Sequence, residues 1–412
     1  MSTQLKIAYY LPRFPRLTET FILREMLALM EKGHEVQVFS LFPPKPSPIM
    51  HNQVYKIMSF VHYCPFLFSF KLVKAQFYFL LRSPLRYLRA LMHAVSLTWM
   101  EPLTLMRVII LFPKSVFFAK QVRDMKIDHI HAHFVWVNGI AAQIAADLID
   151  ITYSIHAHAW DIFQRKPECV RRQIELANVI VTISDYHRNY LATLCPTYSI
   201  EKIHVVHCGL NTKEFTSTHI PVNDNLIRIV SVGSLIEKKG HEYLIHACGH
   251  LLRKKYKFHC SIVGSGPLYE QLQACINGLG LHECVTLLGS LKQNEILDLY
   301  RQSDISVLAC VEAKSGDKDG IPVALMEAMA MQVPVISTPV AGIPELIDSE
   351  ENGLLVPEHD VTALAIAMER LINDLELRNK LGLKARKTII ARFDIHQTSD
   401  LLVGIFQEIC QD

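Results

Sequence analysis

The stretch from Ser303 to Pro357 constrains the fold more than any other part of the chain. A β-branched apolar run from Ile305 to Leu308 predicts a buried strand, and a loop rich in Lys, Asp and Gly follows it. Pro322 then stands close to the start of an apolar helix, a position that favours proline. A second apolar run from Val335 to Thr338 and another helix start near Ala341 repeat the pattern. This alternation of strands and helices predicts a parallel α/β sheet.

Two acidic residues flank the predicted helix start. Asp319 lies in the loop, and Glu327 lies two turns into the helix. The first backbone N–H groups of a helix have no intrahelical partner, and such groups bind anions well. We therefore predict that an anion binds at this helix start. The residues there are Gly320, Ile321, Pro322 and Val323.

The sequence GIPVALMEAMA, followed by PVISTPVAGIPELI, resembles the E-x7-E region of retaining family 4 glycosyltransferases. The resemblance extends over nearly the whole chain and is closest to transferases that assemble bacterial exopolysaccharides of the colanic acid and amylovoran kind. It implies the GT-B fold, an α/β architecture of two Rossmann-like domains whose parallel sheets face a central cleft. It also implies that Asp319 binds sugar hydroxyls and that Glu327 accepts both ribose hydroxyls of the donor. Asp319 departs from the family pattern, in which glutamate is usual.

The resemblance and the polarity of the chain together predict the domain boundaries. An N-terminal acceptor-binding domain is expected over residues 1–210, and a polar linker over 211–226. The nucleotide-sugar-binding domain is expected over residues 227–393. A C-terminal helix over 394–412 would cross back onto the first domain, as in other GT-B proteins.

Composition excludes several classes of protein. With 412 residues, half of them hydrophobic, the chain is long enough for two or three domains with large cores. A net charge of +2 is too small to indicate a nucleic-acid partner. The ten cysteines lack CxxC or Cys/His ligand spacing and read as reduced thiols, with Cys260 and Cys310 on predicted strands. We see no signal peptide and no charge-free run of about 18 apolar residues, so a cytoplasmic protein without a spanning helix is expected.

Two glycine-containing loops are the candidate donor-binding elements. The pattern G-x-L-x-x-x-K-G from Gly233 to Gly240 resembles the diphosphate-binding loop of the family. Lys239 takes the lysine position of that loop and Lys238 is a neighbouring cation, whereas Ser234 stands where arginine is usual. The turn from Gly264 to Gly266 follows a predicted strand and is a candidate base-binding loop. The resemblance implies a UDP-sugar donor, with a GDP-sugar as the second choice, and it implies no divalent metal.

The first domain contributes a histidine and a helix start. His158 ends a predicted strand and matches the histidine of the family's AH-x-x-D segment, which lies near the donor sugar. The carboxyl end of a strand in an α/β sheet is also where ligands bind. Weaker candidates are His131, His133 and His156. At the first helix start, the residues either face the acceptor or simply cap the helix; they are Thr18, Glu19 and Thr20.

A basic and aromatic helical region spans residues 56–125. Long apolar side chains alternate there with basic residues, and acidic residues are almost absent before Glu101. Two interpretations stay open, because the pattern suits both core helices and an amphipathic surface that binds an anionic membrane. The second would place the protein at the inner face of the plasma membrane. The basic residues in question are Lys71, Lys74, Arg82, Arg86 and Arg89.

The predicted activity is transfer of a hexose, with retention, from a nucleotide-diphosphate sugar to a glycan or lipid-linked acceptor in cell-surface polysaccharide synthesis. A nicotinamide-dependent oxidoreductase is disfavoured because no G-x-G-x-x-G follows Leu11. Two alternatives remain open. One is a nucleotide-sugar epimerase of the same architecture, and the other is a non-catalytic module that binds a sugar nucleotide.

Overall fold

The computed structural model describes residues 4–16, 19–44, 52–66, 69–196, 200–216 and 226–411. The chain divides into two compact units, residues 1–207 with 398–412 and residues 208–397. Most of the predicted linker, residues 217–225, lies outside the described residues. The first residues of the predicted linker, 211–216, belong to the second unit, and Phe215 among them is fully buried.

The first unit is built on a seven-stranded sheet. Its strands are β1 (Lys6–Arg13), β2 (Glu35–Phe42), β3 (Val61–Tyr63), β4 (His129–His133), β5 (Thr152–Ala157), β6 (Val179–Thr182) and β7 (Ile203–Val205). All neighbouring pairs are parallel, in the order β3-β2-β1-β4-β5-β6-β7. The strand order reverses between β1 and β4, and such a switch point is where open α/β sheets bind ligands.

Helices cover both faces of this sheet. They are α1 (Thr20–Glu31), α2 (Phe70–Arg82), α3 (Pro84–Ser96), α4 (Pro102–Asp124), α5 (Val137–Ile149), α6 (Ala159–Phe163), α7 (Pro167–Leu176) and α8 (Asp185–Leu194), with the last helix of the chain, α16 (Ile395–Gln411), joining from Thr398 onward. Because strand side chains alternate between faces, Tyr9 packs with α1 and with Phe406 of α16, whereas Tyr10 packs with Phe118 of α4.

The second unit has a six-stranded parallel sheet. Its strands are β8 (Ile227–Val232), β9 (Phe258–Val263), β10 (Val285–Gly289), β11 (Ile305–Val307), β12 (Val335–Ser337) and β13 (Leu354–Leu355), in the order β10-β9-β8-β11-β12-β13. The helices are α9 (His241–Arg253), α10 (Tyr269–Gly278), α11 (Gln293–Arg301), α12 (Val323–Ala330), α13 (Ile343–Leu346), α14 (Val361–Asn373) and α15 (Leu375–Arg392). The order β11, α12, β12, α13 confirms the prediction made for residues 303–357, and the two Rossmann-like units confirm the fold class. The switch point of this sheet lies between β8 and β11.

Helices α2, α3 and α4 each carry two apolar faces. On α3, Ala90 and Ala94 are buried, whereas a second stripe at helical spacing is exposed. That stripe comprises Leu85, Leu88, Met92 and Val95. Similar exposed stripes run along α2 and α4, so packing against the sheet accounts for only one face of each helix.

Helix α4 is long and apolar enough to cross a membrane, by length and composition alone, and it is the only such helix among the residues that the structure describes. Because α4 contains Arg107 and Lys114, it has no uninterrupted run of about 18 apolar residues, and the sequence analysis therefore predicted no spanning helix here. Of its apolar stretch, 44% is buried, and the helix packs against α2 and α5. A core helix of a globular domain passes the same test.

Candidate active site

Glycine allows two loops to meet at the switch point of the second sheet. Gly240 ends the loop after β8 with a φ of +64°, and a Cβ atom added to it would lie 1.7 Å from the carbonyl oxygen of Ala309, just after β11. The backbone N–H of Val311 also donates to the carbonyl of Lys238 at 3.0 Å. These contacts place two consecutive lysines of the first loop beside the acidic second loop.

Lysines and aspartates form a buried charge cluster there. The ammonium group of Lys239 lies 2.5 Å from the carboxylate of Asp319, and Lys238 lies 3.4 Å from Asp319 and 3.1 Å from Asp317. Burial alone would raise the pKa of Asp319, but the charges of Lys239 and Lys238 outweigh it and hold that pKa below its usual value. Burial opposes the charge of Lys239 as well, yet Asp319 raises the pKa of Lys239 overall. Asp319 and Lys239 are therefore both ionised near neutral pH.

This cluster brings together residues to which the sequence assigned separate ligands. Asp319 was expected to contact sugar hydroxyls and Lys239 to contact phosphate, but in this structure the two contact each other. Two lysines are balanced locally by two aspartates, so their charges are not freely available to an anion. An anion at this position would therefore depend in part on uncharged donors.

The N-terminus of α12 offers such donors. Its N-cap is Pro322, whose side chain makes no cap hydrogen bond. The backbone N–H groups at this helix start have no hydrogen-bond partner among the residues that the structure describes; they belong to Gly320, Ile321, Val323 and Ala324. Unpartnered N–H groups at a helix N-terminus form a natural anion site.

Glu327 lies further along α12 and is 8% exposed. Burial raises the pKa of Tyr300 well above its usual value, and the nearby charge of Glu327 raises it further. The hydroxyl of Tyr300 donates to the carbonyl of Ala324 at 3.0 Å, which holds α11 against the start of α12. Glu327 is therefore a buried acid on a helix whose position is fixed by packing.

The glycines of the candidate base-binding loop have a packing role. A Cβ atom on Gly264 would lie 1.9 Å from the carbonyl oxygen of Gly233, and one on Gly266 would lie 2.4 Å from that of Leu235. The loop after β9 therefore lies directly against the loop after β8, next to the half-buried Ser234. This packing explains the glycines without a ligand, and their contact with a base stays a prediction.

Sequence reasoning missed two residues of this region. Gly240 was not selected, although it completes the K-G pair of the loop motif. His241 follows it, and burial together with the charge of Lys239 lowers the pKa of His241 to about 4. A neutral imidazole therefore lies close to Lys239. The sequence feature that could have identified His241 is its position directly after the glycine of the loop motif.

The first unit contains a second buried polar cluster, on the sheet face that α1 covers. His131 and His133 of β4 pair in register with Ser154 and His156 of β5, so their side chains point to the same face. Glu25 of α1 reaches this group: its carboxylate lies 3.2 Å from Nε2 of His133, 3.8 Å from Nε2 of His131 and 3.7 Å from Nδ1 of His156. The sequence identified these histidines individually but did not identify Glu25.

His158 is held by hydrogen bonds at both ring nitrogens. It is the N-cap of α6, and its ring accepts a hydrogen bond from the backbone N–H of Asp161, whose carboxylate accepts from the His158 backbone at 2.9 Å. Nε2 of His158 lies 3.1 Å from Nδ1 of His133. Because the ring is only 6% exposed and both nitrogens are engaged, a sugar hydroxyl could bind to it only by replacing one of these partners.

The acceptor-side candidates receive less support from the structure. Thr18 lies outside the described residues. Glu19, rather than Thr18, precedes the first turn of α1, and it makes no side-chain cap hydrogen bond. Oε1 of Glu19 lies 2.6 Å from Arg16, whereas its Oε2 is buried and has no hydrogen-bond partner within the described residues. The residue is 9% exposed and precedes Thr20, so a role towards the acceptor stays a prediction.

Two family models match the chain over adjacent segments. The model described as "Glycosyl transferases group 1" matches residues 212–388, and "Glycosyltransferase Family 4" matches residues 90–214. The chain is a glycosyltransferase with similarity to group 1 and to family 4. Both the Lys238–Lys239–Asp319 cluster and Glu327 fall within the group 1 match.

Curated relatives and solved structures agree with this assignment. This glycosyltransferase is 26% identical to the putative colanic acid biosynthesis glycosyltransferase WcaL of Salmonella typhimurium, over 98% of the chain and 100% of the relative. It is 26% identical to the amylovoran biosynthesis glycosyltransferase AmsK of Erwinia amylovora, again over 98% and 100%. Its fold is similar to that of Anabaena HepE in complex with UDP-glucose, with a TM-score of 0.71 and 15% identity over 98% and 100% of the two chains. These comparisons give no support to the epimerase alternative.

Proposed function

We propose that this glycosyltransferase moves a hexose, with retention, from a UDP-sugar to a glycan or lipid-linked acceptor in cell-surface polysaccharide synthesis. The observation that carries the proposal is the lysine–aspartate cluster beside the unpartnered N–H groups of α12, on the element that also bears Glu327. The relatives in colanic acid and amylovoran biosynthesis support the pathway class. The UDP-glucose bound to the structurally similar HepE supports the choice of uracil.

The roles divide by chemistry. The diphosphate binds Lys239 and the N–H groups of α12, because charged groups and fixed dipoles stabilise the charge of a departing diphosphate. Glu327 accepts the two ribose hydroxyls. Asp319 turns from Lys239 to the sugar hydroxyls when the phosphate takes over its lysine, so donor binding exchanges one ion pair for another.

The transfer step needs no covalent glycosyl-enzyme. The bond between the anomeric carbon and the diphosphate oxygen breaks while the acceptor oxygen bonds to that carbon from the same face. A donor phosphate oxygen takes the proton of the acceptor hydroxyl. Glycosidases that retain configuration through a covalent intermediate need two carboxylates about 5 Å apart around one bond, whereas Asp319 is bound to two lysines.

The stereochemical outcome tests this proposal directly. With UDP-α-glucose and water as acceptor, slow hydrolysis followed by proton NMR should release the α anomer first, before mutarotation. Release of the β anomer would show inversion, and release of a rearranged sugar would show epimerisation. Absence of turnover with every UDP- and GDP-hexose, in a protein that binds them, would favour the non-catalytic module.

Replacing Asp319 by asparagine should lower turnover while leaving UDP affinity equal or higher. Hydrogen bonds to a charged group contribute about 1.5–3 kcal/mol, so the rate should fall roughly 10- to 100-fold. UDP affinity should not fall, because Lys239 loses its competing carboxylate. Asp317→Asn is the control, since Asp317 contacts only Lys238 of this lysine pair. Loss of UDP binding in a folded Asp319→Asn protein would contradict the assignment.

His158→Ala should reduce turnover more than stability. Burial, with the charges of His156 and His133, holds the pKa of His158 well below its usual value, so the ring is neutral at the working pH. The rate profile of the native enzyme should therefore show no ionisation of His158 between about pH 6 and 8. Kinetic constants of the variant against pH check both statements. A folded His158→Ala enzyme with native turnover would show that the ring has only a structural role.

We also propose that the exposed stripes of α2, α3 and α4 bind an anionic membrane. Phe70, Leu81 and Leu85 are 79%, 83% and 82% exposed, and groups of exposed large apolar side chains often mark a binding surface. Lys71, Lys74 and Arg82 border them and have no ion-pair partner within the described ranges. Apolar side chains rimmed by unpaired cations complement an anionic lipid surface.

The five basic residues that the sequence analysis grouped together differ in whether they form ion pairs. Arg86 pairs with Asp150 at 2.8 Å, and Arg89 pairs with Asp147 at 3.1 Å. Both of these arginines tie α3 to the end of α5 and its C-cap. The three unpaired cations on α2 are therefore the ones expected to contact lipid.

Changing Lys71, Lys74 and Arg82 together to glutamine should weaken binding to vesicles that contain phosphatidylglycerol. Each cation near an anionic surface contributes about 1 kcal/mol, so the loss should be roughly 100-fold and should shrink as salt is added. Arg86→Gln is the matched control and should change vesicle binding less. Sedimentation with phosphatidylglycerol and with pure phosphatidylcholine vesicles measures this. If vesicle binding changes neither with the triple substitution nor with added salt, the proposal is contradicted, and this surface has a protein partner or no partner.

A further inference from the structure

The cluster of Glu25 with histidines of β4 and β5 has more polar atoms than the transfer reaction uses. His131 and His156 are 0% and 1% exposed. Nδ1 of His131 lies 2.7 Å from the hydroxyl of Ser154, which leaves Nε2 without a hydrogen-bond partner. Neither ring nitrogen of His156 has a partner within the described part of the chain. Buried polar atoms without partners cost free energy, and here three of them lie on two neighbouring strands.

Hydrogen bonding determines which histidines are available. The ring of His158 accepts from the Asp161 backbone through Nδ1, so the neutral ring carries its hydrogen on Nε2 and donates to Nδ1 of His133. Because Nδ1 of His133 accepts from His158, Nε2 of His133 carries the hydrogen and donates to Oε1 of Glu25 at 3.2 Å. His133 is therefore a hydrogen-bond donor to the carboxylate and has no lone pair left on Nε2.

Glu25 keeps one oxygen for another ligand. Its Oε1 accepts from His133 and from the hydroxyl of Tyr9, the latter at 2.7 Å. Its Oε2 lies 3.7 Å from Nδ1 of His156. Nε2 of His131 lies 3.8 Å from Oε1 of the same carboxylate. One ligand atom from each of Glu25, His131, His133 and His156 lies within 4.8 Å of all the others, so the available atoms of His131 and His156 are close to the carboxylate.

We infer that Glu25, His131 and His156 bind a divalent transition-metal ion of the zinc type. Two neutral imidazoles and one carboxylate are ordinary zinc ligands, with metal–ligand distances of about 2.0–2.2 Å. The surrounding bonds are those expected of outer partners: Ser154 orients His131, while Tyr9 and His133 hold the carboxylate. The ion connects α1 to β4 and β5 inside the first unit, and no step of sugar transfer passes through it.

The proposed metal site is distinct from the proposed donor site, where no divalent metal is expected at the diphosphate. Its ligands belong to the first unit, and the lysine–aspartate cluster belongs to the second. The inference therefore does not depend on the proposed transfer activity. A buried water molecule bonded to the same three side chains is the competing occupant.

Metal content of the full chain tests the inference. Protein purified without an affinity tag or chelator, after growth with zinc, should contain about one zinc ion per chain by plasma mass spectrometry. His131→Gln with His156→Gln should lose that ion. His129→Gln is the matched control on the same strand face, because both ring nitrogens of His129 already have hydroxyl partners at 2.9 and 2.8 Å.

Cobalt provides a readout that does not need a folded variant. Stripped native protein given Co²⁺ should develop the visible absorption of a low-coordinate cobalt site and a higher unfolding temperature, and zinc should displace the colour. Native protein that holds no zinc and gains neither absorption nor stability with Co²⁺ overturns the inference and leaves water as the occupant. Zinc retained by a folded His131→Gln/His156→Gln protein overturns it as well, because the ion is then held elsewhere.

Discussion

Lys239→Met should both destabilise the second unit and abolish UDP binding. The substitution leaves Asp319 buried, with only the more distant Lys238 to balance its charge. Removing one partner of a buried ion pair costs about 3–5 kcal/mol, and Lys238 should keep the cost near the lower end. Methionine retains most of the lysine stem, so the change reports the charge rather than packing. Urea unfolding and calorimetric titration with UDP measure the two effects.

A double substitution separates the structural role of Lys239 from its role in binding. Lys239→Met with Asp319→Asn removes both charges, so stability should return towards the native value. UDP binding should not return, because the cation that holds the phosphate is still missing. If the double variant binds UDP as well as the native protein does, the diphosphate is bound by other groups.

Gly240→Ala should strongly disrupt the switch point of the second sheet. The added Cβ would lie 1.7 Å from the Ala309 carbonyl oxygen, and the residue has a left-handed φ of +64°. A left-handed residue costs about 1–2 kcal/mol and overpacking typically another 1–3 kcal/mol. UDP binding should fall together with stability, because Gly240 keeps the lysine loop against the acidic loop.

Gly280→Ala is the matched control for that prediction. Gly280 has a φ of +67° in the same unit, but no atom lies within 4 Å of its added Cβ. It should therefore lose only the conformational part, about 1–2 kcal/mol, and keep UDP binding. Equal losses in the two variants, measured by urea unfolding, would show that the close approach of Gly240 to Ala309 contributes nothing.

The sequence was sufficient to predict the order of strands and helices in residues 303–357. Residues 303–357 carry short β-branched runs, a proline at a helix start and regular spacing, and these local signals agree with the final fold. The pairing of Lys239 with Asp319 was not predictable in the same way. It depends on Gly240 bringing together two loops that lie about 80 residues apart, which a linear pattern does not report.

The helices of residues 56–125 show a different limit of sequence reasoning. Periodicity could not decide between core and surface because α2, α3 and α4 each carry two apolar stripes at helical spacing. The structure shows that one stripe of each helix packs and the other is exposed. The ion pairs of Arg86 and Arg89 also needed tertiary contacts with Asp150 and Asp147.

The histidine cluster combines a visible signal with one that the sequence hides. His131 and His133 stood out in the sequence only as separate weak candidates, although their alternation along one strand places them on one face. Glu25 lies on a helix more than 100 residues earlier in the chain, and an acidic residue on an amphipathic helix ordinarily faces solvent. Only the packing of α1 on the sheet brings it to the histidines.

A thermal-shift panel of nucleoside diphosphates tests the central claim most directly. The panel compares UDP, GDP, ADP and CDP on the native protein and on Lys239→Met/Asp319→Asn. Ligand at about 100 times its dissociation constant stabilises a protein by roughly 2.7 kcal/mol, which is easily measured. We predict that UDP raises the unfolding temperature of the native protein and does not raise that of the double variant. An equal rise in both proteins, or no rise with any nucleotide, would contradict the assignment of the donor site to the switch point of the second sheet.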